Sequence, residues 1–481
     1  MYYIMKKIFA LLMVAVLCLA MFSGCRPAAP SVVSPDESPM KSPPTDFPDL
    51  VPSVAPEPVA PNANEPNKII NIWSFTNEIP NMVEKYKELN PDFPYDFNIT
   101  IIATTNGAYQ TALDQALLGE GGQAPDLFGV DAAFVLKYTQ GDASSYTLPY
   151  TELGIDINAE IAAAEIATYA FEVGTRPTDG AVVGLPYQAT GGAFIYRRSI
   201  AINTWGTDDP TVVATKIGPG WEQFMEAAEE LKQAGYVIVS GDGDLWHPIE
   251  SNTEYGWIKD GNLNLEHGVE AFLDLSKQLK DNGYSNDTSD WTDPWYADMA
   301  GIGPKPCFGF FGPARLINSV MSDNSGDTYG DWCLCEPPNG FFWGGTWVIA
   351  NRNYNTEVAY GVAELIKWIT LDTSESGLQY LWANGILDDP DNPGTKDTVS
   401  SGVVMAKSDG TLDYLGGQDM FDIFIPACAN ASGANKSQYD ESINLIWRDQ
   451  VRAYTTGDIT RQAAIDDFKQ LINDTLGIPS Q

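Results

Sequence analysis

Trp73, Asn77 and Glu78 stand at the end of one apolar run, and Asp131 ends another. Further along come Tyr187 and Gln188, then Trp246, Phe311, Arg315, Trp343 and Trp382. Together they supply flat aromatic faces beside carboxylate, amide and guanidinium groups. That mixture suits a ligand with C–H-lined ring faces and hydroxyl edges: rings cover the first and polar groups hydrogen-bond the second. It does not suit proton-transfer or zinc chemistry. The chain has 2 His against 13 Trp and 22 Tyr, and histidine is the commonest general base and metal ligand. No Gly-x-Ser-x-Gly, His-Glu-x-x-His or phosphate-loop pattern occurs. No catalytic residue, metal ion or cofactor is expected. The Asp-rich loops Gly241–Asp244 and Asp388–Asn392 hold oxygen ligands but lack the twelve-residue calcium loop that ends in Glu, and read as solvated acidic turns.

These residues need elements that bring them together. Gly184–Arg198 and Gly340–Ala350 are two aromatic strand-like passages, each interrupted by Gly-Gly. Glycine inside a strand pattern marks a bend or a close backbone approach. Two such passages in mid-chain suit a chain that crosses twice between two lobes, with a ligand cleft between them. A length of 481 residues is too great for one core and fits two lobes.

From Lys68 the pattern alternates. Ile69–Trp73, Phe97–Ile102 and Asp126–Val130 read as strands, with helices at Pro80–Asn90 and Ala108–Leu118 between them. This βαβαβ order predicts a parallel sheet flanked by helices, with ligand groups at the carboxyl ends of its strands. Trp73, the loop after it and Asp131 sit at such ends. Glu160–Val173 reads as one Ala-rich helix and Trp221–Ala234 as an amphipathic one. Tyr236–Val239 and Cys307–Gly312 read as strands. Further helices are expected at His267–Asn282, Ala314–Met321, Glu357–Thr370, Ser374–Asn384, Tyr439–Thr455 and Arg461–Leu476.

The formal charge of −37 disfavours nucleic acid, anionic membrane surfaces and polyanionic ligands. The N-terminus has a basic pair, Lys6-Lys7, and an apolar run, Ile8–Phe22, of secretory length. It ends Phe22-Ser-Gly-Cys25, which resembles the lipobox of bacterial lipoproteins, in which the Cys is lipidated. Residues 1–24 are thus expected to be a lipoprotein signal peptide, and 25–67 a lipidated Cys with a disordered tether. Twelve of the 32 prolines fall in Arg26–Asn67, too little apolar surface for a core. Cys307, Cys333, Cys335 and Cys428 remain. Cys333-Leu-Cys335 puts two thiols on one face of a strand; a disulfide from Cys307 to one of the pair and free buried thiols both stay open.

The order of elements over Lys68–Gly477 resembles an extracellular solute-binding protein of a carbohydrate ABC transporter, the maltose-binding-protein-like class known as family 1. The resemblance is carried by Ile72-Trp73 and its polar loop, Ala124–Asp131, Gly184-Leu-Pro186 with Tyr196, Gly218–Ala228, Pro337–Gly345 and Tyr454–Thr460. It departs at Arg197, where Asn is usual, and at Gly312-Pro-Ala-Arg315, where an aromatic often follows the Gly-Pro. It implies an α/β, two-lobed, periplasmic-binding-protein-like fold with three interlobe crossings, near Tyr187–Ala193, Gly344–Ala350 and Ser400–Lys407. The N-terminal lobe is then 68–186 and 348–400, and the C-terminal lobe with the hinge segments 187–347 and 401–481. The implied role is that of a monomeric, non-enzymatic lipoprotein, anchored by Cys25 on the outer face of a bacterial cell membrane. It captures a neutral sugar or oligosaccharide for permease subunits. Two other classes stay open: a secreted polysaccharide-degrading enzyme with paired carboxylates, and a glycan-binding surface protein with no transport role.

Overall fold

The computed structural model describes residues 54–61, 68–387, 389–391 and 393–480. The expected signal peptide, Cys25 and most of the expected tether lie outside the described residues. The described part of that tether, 54–61, runs extended against the folded body. Ala55 N–H donates to Thr151 O at 2.9 Å, and Glu57 pairs with Lys367. Proline has no N–H to satisfy, so a Pro-rich segment can lie along a surface with few hydrogen bonds.

β1 (Lys68–Ser74) buries Ile70 and Ile72 completely, and Asn71 almost so. The backbone N–H and side-chain amide of Asn71 both donate to Asp126 Oδ2 at 2.9 Å, which satisfies a polar group in the interior. α1 (Glu78–Leu89) begins two residues before the expected Pro80. Proline is tolerated in a first turn, where its missing N–H has no intrahelical partner anyway. β2 (Tyr95–Ile101), α2 (Ala108–Leu117) and β3 (Leu127–Asp131) follow. β1 pairs in parallel with both β2 and β3, as the alternating pattern predicts.

The expected single helix at Glu160–Val173 is two, α3 (Ile157–Ala164) and α4 (Thr168–Gly174), broken at Glu165, whose φ is 49°. Ser401 Oγ donates to Ala164 O at 2.6 Å and takes up a carbonyl released by the break. β4 (Gly184–Pro186), β5 (Ala193–Arg197), α5 (Trp221–Gln233), β6 (Val237–Val239), α6 (Gly243–Glu250) and α7 (His267–Asn282) come next. α5 follows its pattern: Phe224, Ala227, Ala228 and Leu231 form the buried stripe. β7 (Cys307–Gly312), β8 (Trp332–Cys335), β9 (Thr346–Ala350), α8 (Ala359–Thr370) and α9 (Leu378–Ala383) lead to the C-terminal pair, α10 (Asp440–Thr456) and α11 (Arg461–Leu476). Thr460 caps α11 by accepting from Ala463 N–H at 3.2 Å.

The strands form two main sheets. The first has the order β2-β1-β3-β9-β4 and the second β8-β5-β7-β6. β9 runs antiparallel to β3 and to β4, so the first sheet is mixed where local alternation predicted only parallel pairs. The fold is α/β and two-lobed. The chain passes from the first sheet to the second between β4 and β5, and returns between β8 and β9. Both passages need their glycines. A Cβ on Gly192 would come within 1.9 Å of the Phe341 ring, and one on Gly191 within 2.7 Å of the Cys428 backbone. Gly344 and Gly345 have φ of 85° and 113°, a region that side chains disfavour. Near the first passage, Ser400 N–H donates to Tyr187 O at 3.0 Å.

All four described cysteines are buried free thiols. β5 lies between β7 and β8, so Cys307 is two strand spacings, roughly 9–10 Å, from the Cys333–Cys335 strand. That exceeds the Cα separation a disulfide spans, and the expected alternative of a Cys307 disulfide is corrected. The Gly241–Asp244 turn is also corrected. Asp244 is only 5% exposed, inside the first turn of α6, and accepts from Gly241 N–H at 3.2 Å. Burial pushes its carboxyl well above the usual range, and Asp290 pushes it further.

Candidate functional site

The loop after β3 faces α6, α10 and the passage into β9 across a cavity of about 470 Å³, within the usual size range of ligand sites. Its first wall is Asp131–Leu136 with Val173; the opposite one carries Trp246, His247, Glu250, Asp290, Trp291, Phe342 and Trp343. α10 adds Glu441, Asn444, Arg448 and Arg452. They recur at intervals of three or four residues, so they share one helix face.

Trp343 is the centre of the aromatic wall. Its ring stacks on His247 with centroids 4.1 Å apart and 20° between planes, and meets the Trp291 ring at 5.9 Å. Trp291 is 56% exposed and has a φ of 62°. Positive φ on so bulky a residue is strained, and such strain concentrates at functional sites. His247 Nδ1 lies 3.0 Å from Glu250 Oε1. Glu250 also accepts from Asn444 Nδ2 and faces Lys436 Nζ at 3.9 Å. Burial alone would raise the Glu250 carboxyl, but Lys436, His247 and Asn444 hold it below its ordinary value. Arg448 donates to Asp290 Oδ2 at 2.9 Å. These bonds fix polar groups around the aromatic faces.

Asp131 accepts from Ala133 N–H at 2.9 Å, and burial raises its carboxyl. The charges of Arg315 and Glu78 reach it, and those two residues line a second cavity of about 150 Å³. Its other walls are Gln188, Ser319, Trp382, Asp397 and, between Trp382 and Asp397, Gly385, Leu387, Asp389, Gly394 and Thr395. Glu78, at the start of α1, accepts from Arg315 at 2.9 Å and from the buried Tyr187 hydroxyl. Burial opposes the charge on Arg315, but Glu78 beside it more than offsets that, so the guanidinium stays charged.

The structure therefore brings Asp131, Trp246 and Trp343 to the larger cavity, and Glu78, Gln188, Arg315 and Trp382 to the smaller, with Tyr187 behind Glu78. Trp246 contributes little open surface. It is 1% exposed and packs on Phe272 at 5.0 Å. Besides Tyr187, three expected site residues line neither cavity. Trp73 is half-buried against the cluster of Tyr109, Phe128 and Val130, because strand alternation turns it toward α2 rather than the cleft. Asn77 is exposed at the cap of α1, without a capping bond. Phe311 is 1% exposed and packs on Phe194 at 4.7 Å. His247, Trp291, Phe342 and the polar face of α10 were not anticipated. The polar repeat Glu441, Asn444, Arg448, Arg452 was the available signal for α10.

Among the described residues no helix is long and apolar enough to cross a membrane, and no cluster of three or more His, Cys, Asp or Glu could hold a metal ion. No protein-family model matches the sequence, and no curated protein matches it. Solved structures do match. An extracellular solute-binding protein of family 1 superposes with a TM-score of 0.65 at 16% identity, over 84% of this chain and 98% of that one. The galacto-N-biose-/lacto-N-biose I-binding protein of an ABC transporter from Bifidobacterium longum, in complex with lacto-N-biose, gives 0.62 at 17% identity, over 87% and 100%. The sugar-binding protein MalE from Xanthomonas citri gives 0.61 at 14% identity, over 85% and 98%. The expected architecture is the observed one: the chain has the two-lobed fold of the family 1 extracellular solute-binding proteins.

Proposed function

We propose that this protein is a non-catalytic receptor that captures a neutral sugar or oligosaccharide outside the cell membrane and delivers it to an ABC permease. The observation that carries this reading is the larger cavity. Stacked and exposed rings at Trp343, His247 and Trp291 stand beside hydrogen-bonding groups already fixed by neighbours. Ring faces and hydroxyl edges are the two surfaces that such a wall complements. The superposed proteins support it, since the Bifidobacterium longum and Xanthomonas citri proteins are described as sugar-binding. In this reading Cys25 is the lipid anchor and the permease subunits are the protein partners. The receptor acts as a monomer, built from the lobes 68–186 with 348–400 and 187–347 with 401–481. The test is to incubate the chain from Cys25 onward with a broad glycan panel, following Trp fluorescence and released product together. Saturable quenching without product is expected. Steady turnover of a glycan would replace the receptor by a polysaccharide-degrading enzyme.

A further inference from the structure

The described part of the Pro-rich segment, 54–61, lies against the body with a regular spacing. Ala55, Pro58 and Pro61 are half-buried and the residues between them are exposed, Val59 to 89%. A period of three is that of polyproline II, a helix with no internal hydrogen bonds. Proline fixes φ and so lowers the conformational entropy that docking costs. The Ala55 N–H donates to Thr151 O at 2.9 Å. Gly154, at a φ of 76°, makes room for the segment: a Cβ there would come within 2.5 Å of Glu57 Cα.

The facing surface has a matching stripe. α8 is buried apart from Ala359, Tyr360, Glu364 and Lys367. The last three recur at intervals of four and three, so they form one stripe along the helix. Glu57 pairs with Lys367, whose hydrogen bond and charge hold its carboxyl below the ordinary value. The charge of Glu57 also reaches Tyr360 and Glu364. Glu364 by itself would repel Glu57, and Lys367, 3.9 Å from Glu364, offsets that. The chain meets the approach to the same helix again at Lys68, whose Nζ is 3.7 Å from Glu357 Oε2. These partners belong to elements packed on the first sheet: the Tyr150 hydroxyl, next to Thr151, donates to Val348 O of β9, and Gly361 of α8 lies against the Ile70 and Tyr95 side chains.

We propose that residues 54–61 are a strap that docks on the open stripe of α8, latched by Glu57 on Lys367 and seated over Gly154. The body is then held by its first-sheet side, and the second sheet is left outside the grip. The consequence for reach rests on the lipid-anchor reading above: the chain from Cys25 to Val54 spans at most about 100 Å, against about 150 Å if it were free as far as Lys68. The test uses the chain from Cys25 onward with Cys25→Ala, and places nitroxides at Val59→Cys and at Asp92→Cys in the exposed turn before β2; the other thiols are buried. Pulsed electron–electron distances should form one narrow distribution. Glu57→Lys and Lys367→Glu should each broaden it, and the double charge swap should narrow it again. Glu57 is exposed, so Glu57→Lys should leave Tm unchanged, which separates release from unfolding. A broad distribution in the unswapped chain, narrow ones in both single variants, or a double swap that stays broad overturns the strap. Glycan affinity should be the same in all of them, so a chain that binds no glycan overturns the carbohydrate reading and not the strap. With Cys25 lipidated and held on a supported bilayer, neutron reflectometry should place the body farther out in Glu57→Lys than in wild type; equal heights overturn the shortened leash.

Discussion

Arg315 Nη1 stands 2.9 Å from Glu78 Oε1, and the two residues come from opposite sheets: Glu78 follows β1 and Arg315 follows β7. The pair therefore ties one lobe to the other in the wall of the smaller cavity, which both residues line. The Arg315 side chain is 41% exposed and that of Glu78 12%, so solvent screening limits the coupling to about 0.5–1 kcal/mol. A double-mutant cycle of melting with Glu78→Gln and Arg315→Met should return a coupling of that size, shrinking as salt is raised. A coupling of zero at low salt would show that the lobes do not communicate through this pair. Small-angle scattering of Arg315→Met without ligand should show a more expanded molecule than wild type.

The tryptophans should separate by readout. Trp343→Ala removes the stacked face of the larger cavity and is expected to weaken glycan binding about tenfold to a hundredfold, with melting little changed; the stacking range of about 1–3 kcal/mol per ring is borrowed from base recognition. Trp246→Ala empties a packed site and should cost about 3–5 kcal/mol of stability, visible as a large drop in Tm. Trp73→Ala should lower Tm modestly and leave affinity intact. An affinity loss for Trp73→Ala at unchanged Tm would mean that it reaches the ligand after all.

Stability should rise on mild acidification. Burial lifts the Asp397 and Asp440 carboxyls to about 6, above the ~3.9 of a free aspartate. Between those values the folded state binds more protons than the unfolded chain, so stability falls as pH rises through that window. Each group contributes up to about 3 kcal/mol. The net charge of −37 acts in the same direction, because self-repulsion weakens as carboxylates protonate. Tm should therefore climb from pH 7 to pH 5. Asp397→Asn with Asp440→Asn should flatten part of that slope. A slope identical to wild type would assign the whole effect to overall charge. Well below pH 4 the order reverses, since carboxylates held down by partners, such as Asp409 beside Lys396, are then lost.

The four described thiols should be hidden and unpaired. Burial raises all four, which makes thiolate scarce and alkylation slow. Labelling of the native protein at neutral pH should be negligible at Cys307, Cys333, Cys335 and Cys428, and complete in denaturant without a reductant. Reductant should leave Tm unchanged. A reductant-dependent Tm would reveal a disulfide.

Much of the fold was legible because its signals are local. α7 and α11 occupy the bounds that periodicity and stop residues predict, and β7 those of its aromatic run. The βαβαβ alternation fixes the parallel core β2-β1-β3, since parallel neighbours require a helical crossover. Asp131 at the end of β3 and Trp343 beside the Gly-Gly passage could be placed from the same patterns. Tertiary structure decided what is non-local. β9 enters the first sheet from more than two hundred residues beyond β3, a pairing that no window of sequence carries. At the break at Glu165 the Ala164 carbonyl accepts from Ser401, which is also far away in sequence. The side-chain direction of Trp73 follows from which face of β1 meets α2, and the stacking of His247 on Trp343 from how α6 meets the second passage. The sequence alone determined which residue types were available to a binding cleft; the packing of two sheets determined which of them line one, because a cleft belongs to surfaces that meet only after folding.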